Sequence, residues 1–73
     1  MPKLGVFSGE EVCRILETKG FRCIRQRGSH VVMQLLQKGQ TTTVPVPMHK
    51  EIKTGTLRSI IRQSGLPLEL FQR

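Results

Sequence analysis

FRCIRQRGSHVVMQLLQKGQTTTV, residues 21–44, is the stretch whose reading decides the fold. Phe21 to Gln26 alternates roughly as a strand, and Arg27-Gly28-Ser29 carries a turn signal. His30 to Leu36 is the second and most apolar strand, and Lys38-Gly39-Gln40 is the next turn. Thr41-Thr42-Thr43-Val44 is β-branched throughout, which suits the pleated surface of a third strand. Pro45 and Pro47 either end that strand or confine it to a sheet edge, because proline has no N–H for the ladder. Side chains alternate along a strand, so Val31, Met33 and Leu35 share one face and His30, Val32 and Gln34 the other. If the first set packs on the helices, His30 points away from the core. A bulge at Gly28 would change that.

Outward from the strands, both flanks read as helical. Residues 1–7 form an extended lead-in. Ser8-Gly9-Glu10-Glu11 has the spacing of a capping box, in which the Ser8 hydroxyl accepts from the Glu11 amide and the Glu11 side chain reaches back. Val12, Ile15 and Leu16 follow at helical spacing with Cys13 beside them, and Gly20 is the stop. A first helix over about 9–19 results, its acids at the end the helix dipole favours. On the other flank Met48 to Lys53 is a polar connection and Thr54 a candidate N-cap. Leu57, Ile60 and Ile61 give the second helix its apolar stripe, Gly65 its end, and Pro67 a short final turn carrying Leu68 and Phe71. The order helix, three antiparallel strands, helix implies a two-layer α+β domain, α-β-β-β-α, with both helices on one sheet face. Val12, Ile15, Leu16, Val31, Met33, Leu57, Ile60 and Ile61 are its expected core.

Seventy-three residues, 1–73, make one domain. A core of that size supplies about 3–5 kcal/mol. Cys13 and Cys23 form no CxxC and no Cys/His ligand set, so they read as small buried hydrophobes in a reducing cytosol. Twelve Lys and Arg stand against five acids, a net charge of +7. Such a surface attracts polyanions, nucleic acid first and an acidic protein next. No stretch is amphipathic enough for a membrane surface. The longest unbroken apolar run is three residues, too short to span a bilayer. Met1-Pro2-Lys3 is not followed by an apolar signal core, which points to a cytoplasmic protein. With no Trp, no Tyr and three Phe, a base-stacking platform is hard to build.

His30 is the first candidate for chemistry. Histidine alone among side chains has an ordinary pKa, about 6.5, suited to proton transfer near neutrality. The plain alternative is a strand-end histidine satisfied by hydrogen bonds. In the chemical reading, Gly28 permits close backbone approach, and the turn amides with the Ser29 hydroxyl bind a phosphate oxygen. His30 then takes the proton of a ribose 2′-hydroxyl, and Arg25 and Arg27 stabilise the phosphorane. His49 is the second candidate, either a loop histidine or a general acid for the leaving oxygen. Lys50, Lys53, Arg58 and Arg62 gather around the second helix as a solvated face or a phosphate-tracking surface, with Arg58 and Arg62 at i, i+4 on one side. Ser29 has no partners for a nucleophilic triad. A two-metal site needs clustered carboxylates. Here there is no Asp, and three of the five acids (Glu10, Glu11, Glu17) sit on the first helix. Neither metal nor cofactor is therefore expected.

These pieces in this order resemble the HicA-type mRNA interferases, the toxins of HicAB toxin–antitoxin systems. The resemblance runs through Gly20-Phe21, Arg25 to His30, Val44 to His49, and Gly55 to Leu66. It implies a fold like the double-stranded-RNA-binding domain. It also implies metal-free cleavage of mRNA that blocks translation, a catalytic histidine matching His30, and an antitoxin, HicB, that covers the toxin. The competing readings are a non-catalytic double-stranded-RNA-binding module and a protein whose basic face docks only an acidic partner. Against the module, double-stranded-RNA-binding domains reach across about 16 bp, long for this chain.

Overall fold

The first helix begins where its capping box sets it. In the computed structural model, which describes residues 4–72, α1 runs Gly9–Thr18. The Ser8 hydroxyl accepts from the Glu11 N–H at 3.1 Å, and the Glu11 carboxylate accepts from the Ser8 N–H at 3.0 Å. Residues 1–3 of the expected lead-in lie outside the described residues. Strands β1 (Arg22–Arg27), β2 (His30–Gln37) and β3 (Gln40–Pro47) form one antiparallel sheet in the order β1-β2-β3. Helix α2 (Thr54–Ser64) and a 3₁₀ turn (Leu68–Phe71) complete the α-β-β-β-α order, so the expected α+β class holds.

Two tight turns fix the sheet. Gly28-Ser29 closes the first hairpin between paired Arg27 and His30, with Gly28 at φ +55. Positive φ at the first central position is what a type II′ turn asks of glycine. Lys38 and Gly39 close the second with φ +53 and +76, the double positive of a type I′ turn. The third strand does not stop at Val44. It runs on with Pro45 opposite Val32 and Pro47 opposite His30. It can do so because β3 is an edge strand, where a missing N–H need not break a ladder.

The bulge lies in β1, not at Gly28. The register slips between Cys23 and Arg25, leaving Ile24 unopposed. Above the slip Arg27 faces His30 and Arg25 faces Val32; below it Cys23 faces Met33 and Arg22 faces Gln34. The expected parity of β2 therefore stands: Val31 and Met33 are buried and His30 is exposed.

One core joins both helices to one sheet face. It holds Val12 and Leu16 of α1, Val31 and Met33 of β2, Val44 and Val46 of β3, and Leu57, Ile60 and Ile61 of α2. Of the expected set only Ile15 is no more than partly buried. The connections supply Phe7, Phe21, Ile52 and Phe71, each nearly inaccessible. Burying one such side chain stabilises by about 1.5–3 kcal/mol. The polar connection 48–53 is thus anchored by a core isoleucine. Phe7 and Phe71 meet edge to face at 6.0 Å, and the Gly5 N–H donates to the Phe71 carbonyl at 2.8 Å, which ties the lead-in to the last turn. Two further expectations are corrected. The N-cap of α2 is Lys53, in extended backbone with no side-chain cap, and Thr54 is already helical. Cys23 is exposed and Cys13 half-buried, because β1 contributes no buried residue.

Candidate functional site

His30 opens β2 between two edge strands, directly opposite Arg27 on one side and Pro47 on the other. Its side chain lines a cleft of about 290 Å³ with Pro47, His49, Glu51, Ile52, Lys53 and Thr56. The structure thus brings His30 and His49 to one cavity. Lys53 and the first turn of α2 form its far wall.

Backbone contacts hold this cavity together. The Met48 N–H donates to the Ser29 carbonyl at 2.6 Å, tying the segment after β3 to the turn before His30. The Gly9 N–H donates to the His49 carbonyl at 2.9 Å, and the Ile52 N–H to the Phe7 carbonyl at 2.8 Å. Gly9 is buried where α1 meets this segment. A Cβ there would fall against the Pro47 carbonyl oxygen and 2.7 Å from the Met48 Cα. Only glycine lets the helix start sit this close.

The start of α2 is unusual for what it lacks. Its first turn carries no acid, and no side chain caps it. The first N–H groups of a helix have no partner within it, and the helix dipole leaves them partly positive. Thr56, in that first turn, lines the cleft.

The remaining candidates distribute around this centre. Arg25 and Arg27 are exposed on the same sheet face as His30. Gly28 has open space around it, so its positive φ is what requires glycine there, not a close neighbour. Ser29 contributes its carbonyl to the Met48 contact. Lys50 lines an adjoining hollow with Ser8, Glu10, Met48 and His49. Arg58 and Arg62 line a separate hollow on α2 with Gly55, Ser59, Ile61 and Leu68. The expected basic cluster therefore splits in two, Lys50 and Lys53 near the histidines and the arginines further along the helix. Glu51 and Thr56 were not anticipated as lining residues. An acid standing alone in the run His49-Lys50-Glu51-Ile52-Lys53 was the available signal for the first.

Other reactive groups lie elsewhere. Cys13 and Cys23 share a groove with Val31, Met33 and Met48. Burial pushes the Cys13 thiol up to about 11, helped by Cys23, Glu17 and Glu10, so at neutral pH it is no nucleophile. Among the described residues no three His, Cys, Asp or Glu side chains group as a metal site would need. No helix among them is long and apolar enough to cross a membrane.

Two imidazoles, a lysine and an open helix start around one cleft, with two arginines at its rim, suit an anionic ligand whose reaction moves protons. A family model described as the HicA toxin of bacterial toxin–antitoxin systems matches residues 9–66. That span runs from the glycine at the start of α1 to the end of α2. No curated protein matches the chain.

Proposed function

Because the chain belongs to the HicA toxin family, we propose that it is an endoribonuclease that cuts mRNA, with His30 as general base and His49 as general acid. The observation that carries this reading is the shared cleft of the two histidines, which lie nineteen positions apart in sequence and meet only through the fold. His30 removes the proton of a ribose 2′-hydroxyl. The 2′-oxygen attacks the adjacent phosphorus, the bond to the 5′-oxygen breaks, and that oxygen leaves with a proton from His49. The products are a 2′,3′-cyclic phosphate and a 5′-hydroxyl. DNA has no 2′-hydroxyl and is not a substrate.

The phosphate is held by charge and by backbone. Lys53 and the uncapped amides at the start of α2 take its oxygens from one side. Arg25 and Arg27, with the Gly28-Ser29 turn, take them from the other and stabilise the phosphorane as its charge builds. Lys50, Arg58 and Arg62 hold neighbouring phosphates. No step needs a metal ion. The family pairs a toxin with an antitoxin, and in this reading the antitoxin, HicB-like, silences the enzyme by covering His30.

The test is His30→Ala. General acid–base catalysis contributes about 10²–10⁴-fold, so the variant should lose cleavage by that factor. It should keep its fold and most of its RNA affinity, because His30 is exposed. Wild-type cleavage should be indifferent to EDTA, should leave cyclic or 2′/3′-phosphate ends, and should stop at a 2′-deoxy substitution. A folded His30→Ala protein that cuts at the wild-type rate overturns the assignment.

A further inference from the structure

The sheet face that carries His30 is uncovered, and its far end is not built for RNA. Register places Arg22, Arg25 and Arg27 of β1 and His30, Val32, Gln34 and Leu36 of β2 on this one face. Leu36 is 72% exposed and Ile24 43%. The two line a hollow with Gly20, Arg22 and Gln34. Ile24 is there because of the bulge. An unbroken register from Arg27 and His30 would set Ile24 opposite Met33 on the core face; instead the slip gives that place to Cys23 and turns Ile24 out. A bulge of this kind re-aims a side chain, and here it spends an isoleucine on solvent.

Phosphates gain nothing from an exposed leucine and isoleucine, and this face has no aromatic ring on which a base could stack. Apolar side chains ringed by arginine are the make-up of a protein interface, in which apolar contact supplies the centre and charge the rim. The charge selects the partner's sign: Arg22, Arg25 and Arg27 line this face of a chain of net charge +7. Distance completes the argument. Six residues separate His30 from Leu36 along β2, about 20 Å at strand rise, well within the width of one protein footprint.

We propose that the Ile24–Leu36 hollow with Arg22 is the anchor point of the antitoxin, which presents an apolar side chain to the hollow and carboxylates to the arginines. From that anchor the antitoxin extends along the sheet over Arg25, Arg27 and His30. The inference that it silences the toxin this way rests on the reading of His30 given above; the location of the anchor does not. RNA and antitoxin then compete at the His30 end only, and the Leu36 end belongs to the antitoxin.

The test measures binding of the antitoxin encoded beside this chain to three variants, by calorimetry and without RNA. Leu36→Asp and Arg22→Ala should each weaken binding about tenfold or more, as truncating an interface anchor does. Arg58→Ala, on the helical layer, should leave it unchanged. In a parallel assay Leu36→Asp should cleave RNA like the wild type, but escape inhibition. Wild-type antitoxin affinity in both Leu36→Asp and Arg22→Ala overturns the proposal. So does a loss of RNA binding in Leu36→Asp equal to its loss of antitoxin binding, which would give the hollow to RNA. Dissociation of a self-associated chain by Leu36→Asp, with antitoxin binding intact, would give it to a second copy. If no RNA is cleaved by any protein while antitoxin binding still depends on Leu36, the anchor stands and the ribonuclease reading falls.

Discussion

Gly9→Ala adds a single methyl group where the helical layer touches the segment that carries His49. Alanine is ordinarily the better helix residue, by about 1 kcal/mol. At Gly9 the new Cβ would meet backbone, the Pro47 carbonyl oxygen and the Met48 Cα at 2.7 Å. Ordinary contact begins at 3.4 Å, so α1 and the segment must part by about 0.7 Å, the difference of the two distances. The segment cannot yield freely, because Met48 is tied to Ser29 and Ile52 to Phe7. Overpacking of this kind costs about 1–3 kcal/mol. For a domain of this size each kcal/mol lowers Tm by about 4–8 °C. Gly55→Ala is the internal control: it too lies in the first turn of a helix, but its Cβ would meet nothing within 4 Å. That change should stabilise by about 0.4–1 kcal/mol. Urea and thermal unfolding of both variants give the comparison. Displacing His49 from His30 by a comparable distance should also cost up to about 10²-fold in cleavage. If Gly9→Ala is as stable as Gly55→Ala, the close approach does not exist in solution and the account of how the cleft is held is wrong.

Two further outcomes are expected. RNA affinity should fall steeply with salt, and Lys53→Ala and Arg58→Ala should each flatten the slope by about one unit if each meets one phosphate; an unchanged slope for Arg58 alone confines RNA to the cleft, and unchanged slopes for both move it elsewhere. Alkylation followed by mass spectrometry should label exposed Cys23 first at pH 8, with the Cys13 rate still climbing toward pH 11, since the thiolate is the reactive form and the Cys13 thiol is raised to about 11. Folding thus keeps the Cys13 proton, so its contribution to stability is present below about pH 9 and is lost as pH rises through about 11. Equal labelling of the two cysteines at pH 8 would contradict the burial of Cys13.

Local order was written in the sequence. The Ser8–Glu11 capping box, the Gly28 and Lys38-Gly39 turns and the stripes of the two helices act over a few residues, where backbone geometry and periodicity decide the outcome. Those signals determined the α-β-β-β-α order, the two-layer class, the parity that turns His30 outward and most of the core. Long-range contacts decided the rest. Phe7 and Ile52 sit in segments with no period, so nothing local marked them as core; they are buried because the fold brings Phe71 and the helices over them. The bulge at Ile24 follows from which β1 residue best suits the core face, and it alone places Arg22 outward and Cys23 inward. The start of α2 shifts from Thr54 to Lys53 because the chain enters from a segment pinned to Phe7 and Gly9. His30 and Lys53 were legible as residue types, but their meeting with His49 was not. That meeting depends on a glycine with no side chain and on three backbone hydrogen bonds between segments far apart in the chain, which no spacing in the sequence encodes.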